Sequence, residues 1–218
     1  MAIIREIIAQ NIVLVTDTIN PGMFGQYWFI DKKIYKPEEM QGDSVFVPGF
    51  TSVSAVDSQI TIVPNQIQMS IKAPSQSVAY TCLKNRLAKM VQLLDMIPVK
   101  AIGINFLWKV QSDELDVHQL SKSFFGNNPN RINDYFSKAD ARLGAYFSQN
   151  YDENTRLKLD IKPVKAEEET GKEMEFLFCS FNYHRDITPQ NVQAQLDSQL
   201  KRWTELRQNS NKVICMLE

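Results

Sequence analysis

The residues best suited to catalysis stand close together in one hydrophobic run, and they are Cys179, Asn182, His184 and Asp186. A thiol, an imidazole and a carboxylate can serve as nucleophile, base and orienting group when their side chains meet. The run, residues 172–187, is rich in aromatic and β-favouring residues and predicts a strand. Because Cys179 and His184 are an odd number of residues apart, a regular strand directs their side chains to opposite faces. We therefore expect Cys179 in the core.

His184, Arg185 and Asp186 are interpreted as the polar end of this strand. They are the first candidates for a catalytic pocket if the chain is an enzyme, and His118 is the second. The sequence contains no G-x-S-x-G motif, and its glycines form neither G-x-G-x-x-G nor G-x-x-x-x-G-K-[ST]. We predict no cofactor. A non-catalytic role is favoured, and an enzyme with an unrecognised pocket stays open.

No metal site is predicted either. The chain has two histidines and three cysteines, and the cysteine spacing matches no zinc motif. Asp152, Glu153 and Asn154 occur together, but such residues are typical of a turn for backbone reasons. The acidic residues 113–116 are expected to open a short helix, where the helix dipole favours them.

A nucleic-acid interface is one alternative function. An open sheet with exposed aromatic side chains can stack single-stranded bases. Arg156, Lys158 and Lys162 alternate along one predicted strand and could contact phosphates. The aromatic residues of the predicted strands include Tyr27, Trp28, Phe106, Trp108, Tyr146, Phe147, Phe178, Phe181 and Tyr183. Aromatic residues of strands are usually core, and lysine on a wetted strand commonly protects against aggregation, so this function is not the leading one.

The leading hypothesis is a protein-binding or assembly module that associates with itself. The outer positions of several predicted strands carry neutral polar residues: Ser52, Ser54, Gln59, Thr61, Gln66, Gln68 and Ser70. A neutral polar face is easier to cover than a charged one, because less charge loses its water.

The second half of the chain positions the catalytic candidates. Val99–Val110 predicts a strand, and a short helix up to Phe125 follows it. Three further strands are predicted over residues 141–148, 155–165 and 174–184. Thr188 and Pro189 then predict the start of an amphipathic helix that extends to Arg207, and residues 212–217 predict an edge strand or a packed terminus.

The first half is predicted to be mostly strands, followed by one long helix. Residues 51–57, 59–63 and 66–72 predict an antiparallel meander, and residues 77–96 a helix that Pro98 ends. Residues 23–34 fit a strand slightly better than a helix. We predict an α+β fold in which two long helices pack on one face of a large, mostly antiparallel sheet. Residues 1–98 and 99–218 form two halves, which are candidates for pseudo-repeats within one domain.

The amino-acid composition limits the binding partners and the cellular environment that are expected for the protein. Lysine and arginine (24) nearly balance aspartate and glutamate (25), so the net charge of -1 offers no general attraction to nucleic acid or anionic membranes. No apolar run approaches the roughly 18 residues of a membrane span, and Arg5 and Glu6 interrupt the N-terminal apolar stretch. Three unpaired cysteines among apolar neighbours predict a reducing, cytoplasmic setting.

Overall fold

The computed structural model describes residues 2–72, 76–93, 98–126, 134–167, 171 and 173–217. Within these residues, nine strands form one sheet, and every pair of neighbours is antiparallel. The strands are β1 (Ile3–Thr16), β2 (Val45–Val47), β3 (Phe50–Ser54), β4 (Ser58–Val63), β5 (Gln66–Ile71), β6 (Val99–Ser112), β7 (Ala145–Asn150), β8 (Arg156–Glu167) and β9 (Glu173–Asp186). The predicted α+β class with a large antiparallel sheet is confirmed.

The order across the sheet is β2-β3-β4-β5-β1-β6-β9-β8-β7. In each half of the chain, the first strand lies at the centre of the sheet and the last strand lies beside it. The strands between them continue outward to the edge, and a helix follows the last strand in both halves. The two halves thus share one strand layout, and β1 and β6 join them. Their division into 1–98 and 99–218, as pseudo-repeats, stays a prediction.

Most of the helical residues lie in five helices. Helix α1 is Gln26–Asp31, and α3 is Val117–Phe125. Helix α2 is α-helical over Gln76–Cys82, becomes a π-helix over Leu83–Ala88 and ends as an α-helix over Lys89–Leu93. Helices α4 and α5 are Val192–Lys201 and Trp203–Ile214.

One face of the sheet and the helices enclose the core. Helix α5 is fixed to this face by two side-chain hydrogen bonds: Tyr183 donates to Asn209 at 2.7 Å, and the Trp108 indole donates to Ser210 at 3.2 Å. At the end of α5, the Arg5 guanidinium donates to the backbone carbonyls of Ile214 and Leu217. The large apolar side chains of α2, α4 and α5 that are fully buried are Leu83, Leu87, Met90, Leu196, Trp203, Leu206 and Ile214.

Three local predictions were wrong. Residues 23–34 contain α1 rather than a strand, because tertiary packing overrides the β propensity: Phe29 is fully buried, and Trp28 makes edge-to-face contacts with Phe24 and Phe29. Thr188 does not cap the last helix. Asn191, at a φ of 56°, precedes α4, and the Gln195 side chain bonds instead to the backbone and hydroxyl of Thr188.

The single long helix predicted up to Arg207 is two helices, which meet at Arg202. Residues 212–217 complete α5 and pack at its end, so the packed-terminus alternative holds and the edge strand does not. The end of the predicted helix at 94–96, and the predicted loops at 127–130 and 168–170, lie outside the described residues.

Replacement of Trp203 by alanine should lower the free energy of unfolding by about 3–5 kcal/mol, because a fully buried indole leaves a cavity against the sheet. Its ring centroid lies 4.9 Å from that of Phe106. Tyr27, which is 78% exposed, provides the matched aromatic control, and Tyr27→Ala should change stability by less than about 0.5 kcal/mol. Urea unfolding followed by circular dichroism measures both. Equal losses would contradict this account of the core.

Candidate functional site

The face of the sheet opposite the helices, here called the open face, is the largest candidate site. Its middle is a row of paired residues that crosses eight strands, called the central row. From β3 to β7, the central row is Ser54, Gln59, Ser70, Asn11, Asn105, Asn182, Lys158 and Ser148. Seven of these eight side chains are uncharged polar groups.

Three asparagines at the centre of this row form a hydrogen-bonded chain. The Asn182 amide donates to Asn105 Oδ1 at 2.6 Å, and the Asn105 amide donates to Asn11 Oδ1 at 2.7 Å. Gly103 leaves room for this chain, because a Cβ at that position would lie only 3.0 Å from the Asn182 amide nitrogen. This chain of hydrogen bonds has a direction. Its last free amide hydrogens lie at Asn11 and its last free side-chain carbonyl oxygen lies at Asn182, so the row of asparagines ends in a donor on one side and an acceptor on the other.

The polar character continues onto the strands of the first half. Gln59 donates to Ser52 at 2.9 Å, and Gln68 donates to Ser70 at 3.1 Å. The five neutral residues predicted on β4 and β5 all lie on the open face and are half-buried: Gln59, Thr61, Gln66, Gln68 and Ser70. Both hydrogen bonds of the central asparagines join neighbouring strands, so these side chains satisfy one another.

The largest group of charged side chains on the open face lies on β8, and a single ion pair, Glu6 with Lys109, joins β1 and β6 outside the central row. Arg156, Lys158 and Lys162 point to this face, as their alternation predicts, and Asp160 lies among them. Arg156 donates to Ser148 at 2.9 Å, and Lys162 pairs with Asp160 at 3.3 Å. The residues predicted as phosphate contacts are therefore brought together at one border of the open face.

Most of the aromatic residues considered for base stacking lie elsewhere. Phe106, Trp108, Phe181 and Tyr183 are buried against the helices, and Tyr27 and Trp28 belong to α1. Phe147 faces the helix side of β7. Tyr146 and Phe178 remain on the open face, where the Lys162 ammonium lies 5.8 Å from the Phe178 ring centroid. The stacking surface among the described residues is thus two aromatic rings beside the basic border.

The catalytic candidates do not form a dyad. Strand β9 is paired with β6 without interruption, so Cys179 lies on the helix side and His184 on the open face. Burial raises the pKa of the Cys179 thiol to about 12, which keeps it protonated at neutral pH. His184 Nε2 lies 3.1 Å from the exposed Asp186 carboxylate, next to Arg185 at the strand end. The second candidate, His118, lies far along the sheet and 3.9 Å from Glu175.

A buried charge cluster on the helix side was not found by sequence reasoning. The guanidinium of Arg86, in the π-helical part of α2, forms an ion pair with Asp57 and donates to Ser58 at 2.6 Å. Its carbon lies 4.4 Å from the Tyr35 ring centroid, and Tyr35 hydrogen-bonds to Ser58 at 3.1 Å. Glu39 approaches the other guanidinium nitrogen at 3.4 Å. We call these residues the Arg86 cluster.

The position of Arg86 in the sequence could have indicated that this charge is buried. Leu83, Leu87 and Met90 form the predicted apolar stripe of the helix, and Arg86 is three residues after Leu83 and four before Met90. Helical spacing therefore places Arg86 on the buried stripe, where a charge needs partners. Its partners come from distant loops, and no spacing in the sequence identifies them.

Burial and charge shift the pKa values in this cluster in opposite directions. Burial raises the pKa of Tyr35 to about 12, although its bond to Ser58 and the charge of Arg86 oppose that shift. Burial also raises the pKa of the Cys82 thiol. For Asp57, burial acts to raise the pKa, but the hydrogen bond and charge of Arg86 outweigh it, so the pKa is lowered. Arg86 and Asp57 are therefore both charged at neutral pH, whereas Tyr35 and Cys82 are neutral.

Searches for similar proteins give no family assignment. No protein-family model matches the chain. No curated protein matches it either. Among the described residues, no group of three histidine, cysteine, aspartate or glutamate side chains could hold a metal ion. None of the described helices is both long and apolar enough to cross a membrane.

Replacement of Arg86 by methionine should lower the free energy of unfolding by roughly 2–4 kcal/mol, because Asp57 and Ser58 lose the group that compensates their burial. Asp57 keeps part of its hydration, which limits the loss. The double variant Arg86→Met/Asp57→Asn removes the unpaired charge and should recover at least about 1 kcal/mol relative to Arg86→Met. Urea unfolding of the four proteins in this cycle gives the coupling. Additive losses would show that the pair contributes no coupling.

The lowered pKa of Asp57 also predicts an acid-sensitive contribution to stability. The carboxylate is ionised more easily in the folded than in the unfolded protein, so its contribution is complete above its unfolded pKa of about 4 and is lost as pH falls through the folded value. Asp57→Asn should therefore flatten the decline of the melting temperature below about pH 5. Asp152 and Glu205, whose pKa values Arg202 lowers, retain the remaining decline. An unchanged slope in Asp57→Asn would refute this assignment.

Proposed function

We propose that this protein is a non-catalytic assembly module that binds a second copy of itself through the open face. The observation that supports this proposal is the central row, in which uncharged polar side chains run without a charge from β3 to β9. Solvent-facing strands usually carry lysine and glutamate, which prevent unwanted contacts. A row that lacks them over six strands can be covered with little loss of charge hydration, and Glu6 and Lys109, which lie on this face outside the row, already pair with each other at 3.0 Å.

Amide side chains suit a second copy in particular. Each asparagine or glutamine carries both donors and acceptors, so a surface made of them is complementary to itself after a twofold rotation. Stacking of two such sheets would place them about 10 Å apart. The central row and one row on either side of it span about 29 by 20 Å across the six strands from β3 to β9, or about 600 Å² per copy, which approaches the roughly 800 Å² per partner of a standard stable interface.

The catalytic alternative has less support. The thiol of Cys179 is buried and protonated, and His184 lies on the other side of the sheet. His184 and Asp186 do lie within hydrogen-bonding distance, but they occupy the exposed end of a strand. The binding role, in contrast, uses the most extended feature of the sheet.

The second candidate function is binding of single-stranded nucleic acid at the border of the open face. It is favoured by one observation, which is that Arg156, Lys158 and Lys162 share this face with Tyr146 and Phe178. Asp160 lies within the same patch and reduces its positive potential. Both functions use the open face, and salt dependence separates them, because phosphate contacts weaken steeply as the salt concentration rises.

Introduction of one lysine at the middle of the open face tests the assembly proposal. Thr61 and Val13 are half-buried on this face, and Val13 pairs with the small Gly103, so Thr61→Lys or Val13→Lys can be accommodated in a monomer. In a face-to-face dimer, either lysine must be desolvated, which should raise the dissociation constant by at least about tenfold. Sedimentation velocity over about a hundredfold range of concentration measures this constant.

Gln208→Lys is the matched control, because it adds the same charge at an exposed position of α5 on the other side of the protein. It should leave the dissociation constant unchanged. The proposal fails if the unmodified protein stays monomeric throughout, or if Thr61→Lys and Val13→Lys associate as it does. Salt-sensitive binding of a fluorescent oligoribonucleotide that weakens in Lys158→Gln would support the nucleic-acid function instead.

A further inference from the structure

A pocket of about 670 Å³ opens beside the Arg86 cluster, and neither candidate function uses it. It lies on the helix side of the protein, between the segment that follows α1 and the π-helical part of α2. Its volume falls within the range of pockets that hold small molecules, about 300–1,000 Å³. Its floor is pre-formed, because Arg86 ties α2 to the start of β4 through Asp57 and Ser58.

The lining of this pocket divides into two parts. The apolar lining consists of Ile30, Ile34 and Pro37 from α1 and the segment after it, and of Val78 from α2. The polar lining includes three cationic and two anionic side chains: Lys33, Lys36, Arg86, Glu39 and Asp57. These side chains give the pocket an excess of one positive charge.

The two carboxylates of the pocket are already engaged. Asp57 forms an ion pair with Arg86, and Glu39 accepts a hydrogen bond from the Lys36 backbone at 2.7 Å and approaches Arg86 at 3.4 Å. No described carboxylate forms an ion pair with the ammonium group of Lys33 or Lys36. The positive charge available to a ligand is therefore that of the two lysines.

The backbone around the pocket is irregular on both sides. Lys33 has a φ of 54°, which is uncommon for a residue with a long side chain, and its carbonyl accepts a hydrogen bond from Lys89 of α2 at 3.1 Å. On the facing side, α2 is a π-helix over the residues that carry Asn85 and Arg86 into the lining. Both irregularities are costly and recur at ligand sites.

We propose that this pocket binds a small amphipathic anion, with an apolar body against Ile30, Ile34 and Val78 and an anionic head near Lys33 and Lys36. The head group would be a singly charged anion such as a carboxylate or a sulfonate, since the charged side chains of the lining leave an excess of one positive charge. The apolar body is required as well, because exposed ammonium groups alone hold a small anion weakly in water. This site is independent of the open face, which lies on the other side of the sheet.

A pair of fluorescent probes that differ in one group tests both parts of this proposal. The probe 8-anilinonaphthalene-1-sulfonate has an apolar ring system and one negative charge, and N-phenyl-1-naphthylamine has the same rings without the charge. We expect the sulfonate to bind the native protein with a stoichiometry of one and about tenfold more tightly than the neutral probe. Equal affinities, or no saturable binding of the sulfonate, would overturn the proposal.

Charge-removing variants locate the binding site. Lys33→Asn removes one ammonium group, and asparagine tolerates the left-handed backbone at this position. Together with Lys36→Gln, it should weaken sulfonate binding by about tenfold and leave the neutral probe almost unaffected. Lys32→Asn is the matched control, because it removes the same charge one residue away from a side chain that does not line the pocket, and it should bind as the unmodified protein does.

A third variant separates this pocket from other apolar surfaces. Val78→Trp fills the apolar wall from a position that is 45% exposed, so the protein can fold around it, and it should abolish binding of both probes. Melting temperatures and near-ultraviolet circular dichroism establish that each variant is folded. Sulfonate binding that is unaffected by Val78→Trp, or weakened equally by Lys32→Asn and by Lys33→Asn/Lys36→Gln, would show that the probe binds elsewhere.

Discussion

The pairing of β1 with β6 is the interaction on which the rest of the structure depends. Both strands have 14 residues, and their ladder extends from Ile3 paired with Ser112 to Thr16 paired with Val99. Each is the first strand of its half, so the ladder joins two meanders into one sheet instead of leaving two small sheets with exposed edges. A register shift between Ile7 and Ala9 interrupts the ladder, and regular pairing continues on both sides of the shift.

Helices cover only one face of the sheet. The polar side chains of the other face must therefore find their hydrogen-bond partners without the helices. In this protein, the asparagines of β1, β6 and β9 form hydrogen bonds with one another across the strands. Glutamine side chains of β4 and β5 likewise donate to serine hydroxyls of the sheet. Such chains of amides strengthen each other when all members are present. They also fix the register, because a slip of one residue would move every asparagine of a strand to the apolar side.

The sequence predicted those features that depend on a local period. Alternation identified the strands of the meander and the side on which Gln66, Gln68 and Ser70 lie, and the odd spacing placed Cys179 opposite His184. Features that depend on distant contacts were missed. The segment around Trp28 has β-favouring residues, but packing of its rings against Phe24 and Phe29 stabilises a short helix.

The Arg86 cluster illustrates the same limit for a site. Arg86 lies on the apolar stripe of its helix, and this fact can be read from the sequence. Its partners come from elsewhere: Asp57 from the turn before β4, Ser58 from the first position of β4 and Tyr35 from the segment after α1. Only the folded sheet and its helices bring these segments together. Helical spacing can therefore indicate that a charge is buried, whereas the tertiary structure alone determines what compensates it.

The distribution of charge between the two sides of the sheet supports separate roles for them. On the helix side, Arg86 is largely desolvated and its carboxylates are partly so, and such a cluster is a poor source of stability, since an apolar replacement of equal volume often does as well. On the open face, the central row carries no charge from β3 to β9, and the ion pair of Glu6 with Lys109 lies outside that row. Stability and solubility alone would favour the opposite arrangement. Under the two proposals, recognition would account for both departures, because a charged group is retained beside the proposed ligand pocket and is missing from the row that a second copy would cover.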